Sequence, residues 1–408
     1  MARMDASSVQ TIDIDTLGMD EGALILIRRA LAETPVGSAL RVRGSAPQWN
    51  LHLAAWCRSA GHPVEIVSLA DGRVEAVITR AAWTEGRWLG AASTGHSQLD
   101  KGELPEPNAD PAWGLAARGA TVEAGSPAIA FGLHTRDEIW ADSAAGLYAQ
   151  AAAAQWVPAT AIDWNAAVEN DPVLETAIVQ VMTYLVENEN AALVVPARHL
   201  GQVHPHYREV QQVLALQCAD EARHIEVFTR RIGLKGREPM LSTAGGQASL
   251  SSLLQAPDFS SATFLLSVLG EGTFVNLLNF LADHAPDPVT RQVCRLAARD
   301  EARHVAFGMA HLEHRLAVEP DYIVKLQNAV EQRHEALAAS AGLNEEVFDA
   351  LVILAAGDLS HTAIAHGHKE VQQLKLDMAA GRRARLVRLG FAPDEAQRLS
   401  DMHTRNFM

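Results

Sequence analysis

The chain has 408 residues, 48% hydrophobic and 20% charged, an ordinary globular composition with ample apolar surface for two or three domain cores. Lys and Arg number 34 against 49 Asp and Glu, so the net charge is −15, and nucleic acid and anionic membrane faces, which attract basic patches, are excluded as partners. Three widely spaced cysteines (Cys57, Cys218, Cys294) imply no disulfide framework, and MARMDASSVQT offers no apolar stretch of signal-peptide length, so a cytoplasmic location is expected.

Residues 12–90 change period repeatedly. IDIDTLGM reads as strand, EGALILIRRALAE as helix, SALRVRG as strand and WNLHLAAWCRSAG as helix. The pair PVEIVSL and RVEAVITRA, around Asp71-Gly72, reads as a hairpin. This βαβαββ order predicts a small two-layer α+β domain. Residues 91–135 are rich in Gly, Pro, Ser and Asp and read as a linker or irregular connection. From 136 to 408 the period is helical, with breaks near Pro158, Asp171-Pro172, Pro196 to Pro205, Lys235 to Pro257, Pro286-Pro288, Pro320 and Gly357. The expected architecture is therefore multidomain, an α+β domain followed by an all-α bundle. Phe259 to Ala282 is long and apolar enough to span a membrane, but its single charge, Glu271, would be costly there and no basic anchors flank it. It is read as a buried helix.

The bundle contains an internal repeat. LVENENAALVV (185–195) precedes CADEARHIEVF (218–228), and LGEGTFVNLLN (269–279) precedes ARDEARHVAFG (298–308). Residues i and i+3 share a helix face, so Glu221 projects with His224 and Glu301 with His304. Glu187 precedes Pro205 by 18 residues and Glu221 follows it by 16; Glu271 precedes Pro286 by 15 and Glu301 follows it by 15. Nearly equal legs set each lone Glu level with its Glu-x-x-His, and two such hairpins bring four carboxylates and two imidazoles to one height, the arrangement of a dinuclear carboxylate bundle. Glu189, two residues from Glu187, is placed on another face. Two divalent cations would cancel four buried negative charges, and mixed carboxylate and imidazole donors suit Fe or Mn better than Zn or Ca. Gly270 and Gly272 flank Glu271; they leave room for a substrate, permit a π-bulge, or allow close helix packing.

Residues 140–310 resemble the ferritin-like di-iron carboxylate superfamily, which includes rubrerythrins, the radical-generating subunit of ribonucleotide reductase, acyl-carrier-protein desaturases and p-aminobenzoate N-oxygenases. The resemblance implies a ferritin-like bundle with Glu187, Glu221, His224, Glu271, Glu301 and His304 as ligands of two Fe ions, or of Fe and Mn. It implies that Asp220 and Asp300 accept hydrogen bonds from the ligand histidines, with Arg223 and Arg303 paired to those aspartates. Tyr184, one turn before Glu187, is a possible redox tyrosine. The N-oxygenase branch carries a further ligand His where this chain has Ala297. The activity expected is a soluble O2-activating oxidase or oxygenase for hydroxylation, N-oxygenation or desaturation of a small organic substrate, working as a homodimer with a reductant or electron-donor protein. The alternatives are a rubrerythrin- or ferritin-type peroxidase or iron-handling protein, and an Fe/Mn ligand-binding oxidase.

Residues 12–82 are similar to the small TusA-like sulfur-carrier family, through IDTLGMDEGALILIRRALAETPVGSALRV and AAWCRSAGHPVEIVSL. That family carries a catalytic Cys, followed by Pro, at the start of its first helix. Here those positions are Glu21-Gly22, so no persulfide chemistry is expected. Docking is the role expected of this domain instead.

Overall fold

The computed structural model describes residues 9–69, 73–82, 90–99, 103–338 and 345–403. They form two compact units, Met1–Ser93 with Ala120–Ser126, and Thr94–Gly119 with Pro127–Met408. In the first, β1 (Gln10–Asp13), α1 (Ala23–Glu33), β2 (Ala39–Gly44), α2 (Trp49–Ser59), β3 (Val64–Ser68) and β4 (Val74–Thr79) follow in order. The sheet order is β1-β2-β4-β3, with β1 parallel to β2 and the other pairs antiparallel. The parallel pair needs a crossover, which α1 supplies. Along β2, alternate residues turn inward, so Leu40 and Val42 meet Ala76 and Ile78 of β4 in a core that also takes Ile27 from α1 and Trp49 and Leu53 from α2. Each large side chain buried there contributes about 1.5–3 kcal/mol. The Asp71-Gly72 turn expected between β3 and β4 lies outside the described residues. A short antiparallel pair, β5 (Ala92–Ser93) with β6 (Thr121–Val122), also belongs to this unit.

The second unit is helical. After α3 (Arg136–Ile139), α4 (Ala144–Ala153) and α5 (Pro158–Ala161) come α6 (Pro172–Leu200) and α7 (Arg208–Gly233), packed along one another. Beyond α8 (Ala244–Leu254), a composite helix packs on α11 (Pro288–Val318); it comprises α9 (Phe259–Thr263), a π-helical stretch Phe264–Glu271 and α10 (Gly272–His284). Then α12 (Tyr322–Ala338), α13 (Glu345–Ala356), α14 (His361–Arg388) and α15 (Pro393–His403) follow, with α13 against α6 and α14 against α10. The composite helix is long and apolar enough to cross a membrane, but 83% of its most apolar window is buried inside this unit.

Several expected breaks are helix starts. Asp171 and Asp287 accept hydrogen bonds from the Val173 and Thr290 N–H groups, with Pro172 and Pro288 at the first helical position, where a missing N–H costs nothing. Pro196 is not a break. It lies in the penultimate turn of α6, where it removes one ladder bond close to the end of a long helix. The stretch from Lys235 to Pro257 likewise contains α8.

The 91–135 segment, expected to be a linker or irregular connection, is largely irregular among its described residues, but part of it has a fixed path. Residues 94–119 belong to the helical unit and are bonded onto the start of α7. The Tyr207 hydroxyl accepts from the Ala109 N–H at 2.9 Å and lies 3.1 and 3.0 Å from the carbonyls of Glu106 and Pro107. Arg118, fully buried, binds Glu209 through both Nη atoms at 3.0 and 2.6 Å and the His206 carbonyl at 3.1 Å. Gly and Pro exclude regular structure, but they do not exclude a fixed path when side chains of the neighbouring helix satisfy the backbone.

Candidate metal centre

Four helical segments each bring acidic side chains to one height inside the second unit. Glu189 comes from α6, Glu221 and His224 from α7, Glu271 from the end of the π-helical stretch, and Glu301 and His304 from α11. All six are buried. Their donor atoms form two overlapping sets, Glu189–Glu221–His224–Glu301 and Glu221–Glu271–Glu301–His304, each with atoms within 4.8 Å of one another. Glu221 and Glu301 belong to both sets. His224 Nδ1 lies 3.2 Å from Glu221, 3.3 Å from Glu301 and 3.6 Å from Glu189, and His304 Nδ1 lies 3.0 Å from Glu221 and 3.5 Å from Glu301.

Five of the six ligands expected from the sequence meet here, but Glu187 does not. It is half-buried, faces away and bonds Ser242. Two residues on a helix are about 200° apart, so only one of Glu187 and Glu189 can face the cluster. The repeat register points to Glu187, whereas the structure brings Glu189 to the cluster; that register matches a regular helix to a π-helical one. The π turn closes i to i+5 and shifts the phase of Glu271 relative to the α-helical count. The leg lengths held the better signal: Glu189 precedes Pro205 by 16 residues, the same distance at which Glu221 follows it.

The outer nitrogens of the histidines are held crosswise. His224 Nε2 meets Asp300 Oδ2 at 3.2 Å and His304 Nε2 meets Asp220 Oδ2 at 3.3 Å, each the aspartate of the other motif. Arg223 bonds Asp220 and, at 2.8 Å, Asp300; Arg303 bonds Asp300 and lies 3.6 Å from Asp220. Each aspartate has an additional donor that sequence reading missed: Gln155 Nε2 to Asp220 at 3.0 Å, and Trp156 Nε1 to Asp300 at 2.8 Å, with Arg223 stacked over that indole. Ionised aspartates are acceptors only, so each Nε2 donates outward to its aspartate and each Nδ1 faces the cluster. Gln217, one turn before Glu221, donates to Glu271 Oε1 at 3.1 Å. Tyr184 is buried against Phe274, ring centroids 6.2 Å apart, and burial pushes its hydroxyl well above the usual tyrosine range.

Both flanking glycines have work to do. Gly270 lines the cavity beside the cluster. At Gly272 a β-carbon would collide with the Arg385 guanidinium, whose Nε donates to the Val268 carbonyl at 2.7 Å, satisfying a carbonyl of the π-helical stretch.

The donors fit divalent cations. Glu189 Oε1, Glu221 Oε1, Glu271 Oε2, both Glu301 oxygens and His304 Nδ1 are buried with no hydrogen-bond partner, although buried polar atoms are almost always paired. The groups approach closely without hydrogen-bond geometry, as atoms aimed at a common centre do. Burial first, then the neighbouring Glu301 and Glu221 carboxylates, hold Glu189 and Glu271 well above the usual carboxyl range. Burial lowers His224 and His304, but the surrounding carboxylates outweigh it and raise both well above the usual imidazole range. In metal-free protein these upward shifts favour the protonated forms, and metal must displace those protons. Metal affinity should fall as pH falls, with proton release on binding. Titration calorimetry in two buffers of different ionisation enthalpy is expected to show at least about one proton released per metal at pH 7; zero release would contradict the cluster's protonation.

No family model matches the chain, and no curated protein matches it. Among solved structures, it is similar to an R2-like ligand-binding oxidase with a reconstituted Mn/Fe cofactor, at 16% identity over 64% of this chain and 91% of that one, TM-score 0.43. It is also similar to a protein with aldehyde deformylating oxidase activity from Synechococcus, at 16% identity over 56% of this chain and 96% of that one, TM-score 0.41.

Proposed function

We propose that the chain holds two iron ions, or one manganese and one iron, in this cluster and activates O2 to oxidise a small organic molecule. The observation that carries this reading is the pair of overlapping donor sets sharing Glu221 and Glu301, set against an apolar cavity. Glu189, Glu221, His224 and Glu301 would hold one metal and Glu221, Glu271, Glu301 and His304 the other. When bound, such a pair supplies the electrons that reduce O2 and the oxidising power turned on the substrate. The protein keeps each Nδ1 aimed inward through Asp300 and Asp220, and Gln217 holds Glu271 by one oxygen. Leu265, Leu266 and Phe274 exclude water from the reacting face. Turnover requires an external reductant or electron-donor protein.

The N-terminal unit is proposed to be sulfur-carrier-like in fold, supported by its β1-β2-β4-β3 order with α1 and α2 between strands. Glu21, at the position of that family's nucleophile, accepts from the Gly18 N–H at 3.0 Å, and burial pushes the Cys57 thiol up to about 11. Neither group is a persulfide carrier, so docking is the role proposed for this unit.

Anaerobically iron-loaded, reduced protein mixed with O2 is expected to consume it with a transient visible absorption, and an organic product should follow when substrate is present. Absence of O2 consumption would leave a structural metal site. Consumption with accumulation of many irons per chain and no organic product would make it an iron-handling protein.

A further inference from the structure

Two cavities of the helical unit meet at one side chain. The inner one, about 20 Å³, ends on Glu189, Glu271 and Glu301 and is walled by Leu253, Leu266 and Phe274. The outer one, about 350 Å³, has a mixed lining, with Asp258, Lys325 and Gln332 beside Pro257, Leu265 and Ala329. Leu265 and Arg333 line both.

Arg333, on α12, is 5% exposed. Its Nη1 donates to Ser252 Oγ at 2.6 Å and its Nη2 to Ser249 Oγ at 2.9 Å. Among the described residues it has no carboxylate partner, whereas Arg231, buried in the same unit, binds two. Burial alone pushes Arg333 down to about 10. A cation stripped of water with no counter-charge is costly, and the two serine hydroxyls repay only part of it. An incoming anion would repay the rest. A guanidinium matches the planar fork of a carboxylate, and a carboxylate's single charge is cancelled by the single cation. A dianionic phosphate would carry one uncompensated charge into an apolar cleft.

We infer that Arg333 is the anchor for a carboxylate on the substrate, which is therefore a small carboxylic acid with an apolar body. The acid enters through the outer cavity and its carboxylate stops at Arg333; the inner cavity holds little more than one water, so the apolar part reaches the metal centre only as Leu265, Leu266 and Phe274 move aside. The word "substrate" here rests on the oxidase reading above; the anion site does not.

The test uses full-length protein, metal-free and metal-loaded, titrated calorimetrically with straight-chain carboxylates from butyrate to decanoate and with benzoate, each against its primary amide. Carboxylates are expected to bind at least about tenfold more tightly than the matching amides in both forms, since metal ligation alone would give the preference only in the loaded one. Arg333→Gln should lose that preference while retaining two metals per chain, and Arg333→Lys should keep part of it. Leu265→Trp, which keeps the charge but fills the junction, should weaken acid and amide alike. A carboxylate preference that survives Arg333→Gln, or equal binding of acids and amides by the parent protein, overturns the assignment. Should Arg333→Gln not fold, a Leu265→Trp protein that binds acids as the parent does overturns it equally. Carboxylate binding without O2 consumption would leave this site standing and remove the oxidase reading.

Discussion

Glu189→Ala is expected to lower the metal content from two ions per chain to one, whereas Glu187→Ala keeps both. Glu189 belongs to one of the two donor sets, so its loss removes the sole α6 carboxylate from one metal position and leaves the other complete. Glu221→Ala should lose both ions, because Glu221 belongs to both sets and approaches both imidazoles. Elemental analysis after anaerobic loading and desalting reads the outcome. Asp300→Asn is a milder variant: it leaves the donors in place but weakens the acceptor that orients His224, at an expected cost of about 10–100-fold in affinity. Full occupancy in Glu189→Ala, together with loss in Glu187→Ala, would restore the alternative face of α6 and refute the geometry described above.

Most of this site was readable before any coordinates, for a physical reason. Glu-x-x-His on a helix fixes the relative direction of two side chains locally, so Glu221 with His224 and Glu301 with His304 needed no knowledge of the fold. The lone glutamates needed the hairpin register, a tertiary quantity. For Glu271 the leg count succeeded, and for the α6 partner motif alignment overrode it. The alignment assumed equal helical phase, which the π-helical stretch from Phe264 to Glu271 breaks. Gln155 and Trp156 were invisible for another reason: they lie far along the chain from the aspartates they serve, and nothing in their own neighbourhood marks them. Arg333 shows the same limit, because an arginine on a helix reads as a solvated face until its surroundings are known. The Gly- and Pro-rich residues 94–119 show the converse. Composition there correctly denied helix and strand, but Tyr207 and Arg118 secure the path with bonds that composition cannot express.

Arg231→Met should destabilise the helical unit by about 3–5 kcal/mol, the cost of leaving buried charges without their partner. At roughly 2–4 °C per kcal/mol for a unit of this size, its melting transition should drop by about 10 °C. Arg231 is fully buried near the end of α7. Its Nη1 and Nη2 bind the two oxygens of Glu175, in the first turn of α6, at 2.7 and 2.8 Å. Nη2 also reaches Asp287, which caps α11, at 2.9 Å, and Nε donates to Thr290 at 2.7 Å. One guanidinium thus ties three of the helices that carry the metal donors, and Met preserves its volume without its charge. Burial raises the Glu175 and Asp287 carboxyls, but hydrogen bonds and charge, chiefly from Arg231 and for Asp287 also the Thr290 N–H, outweigh it and hold both below the usual range. Stability from a depressed carboxyl is present above its unfolded-state value and is lost as pH falls through its folded-state value. In Arg231→Met the cation's contribution is gone and burial pushes Glu175 up, so protonating it relieves the variant while the parent is losing its own ion pairs. The gap in melting temperature should therefore be largest near neutral pH and narrow as pH drops through about 4, the ordinary carboxyl range. Arg231→Lys, which restores charge but not the two-pronged contact, should fall between the two. A gap under about 1 kcal/mol at pH 7, the range of an exposed ion pair, would mean that water reaches this network and that the bundle end is held by packing alone.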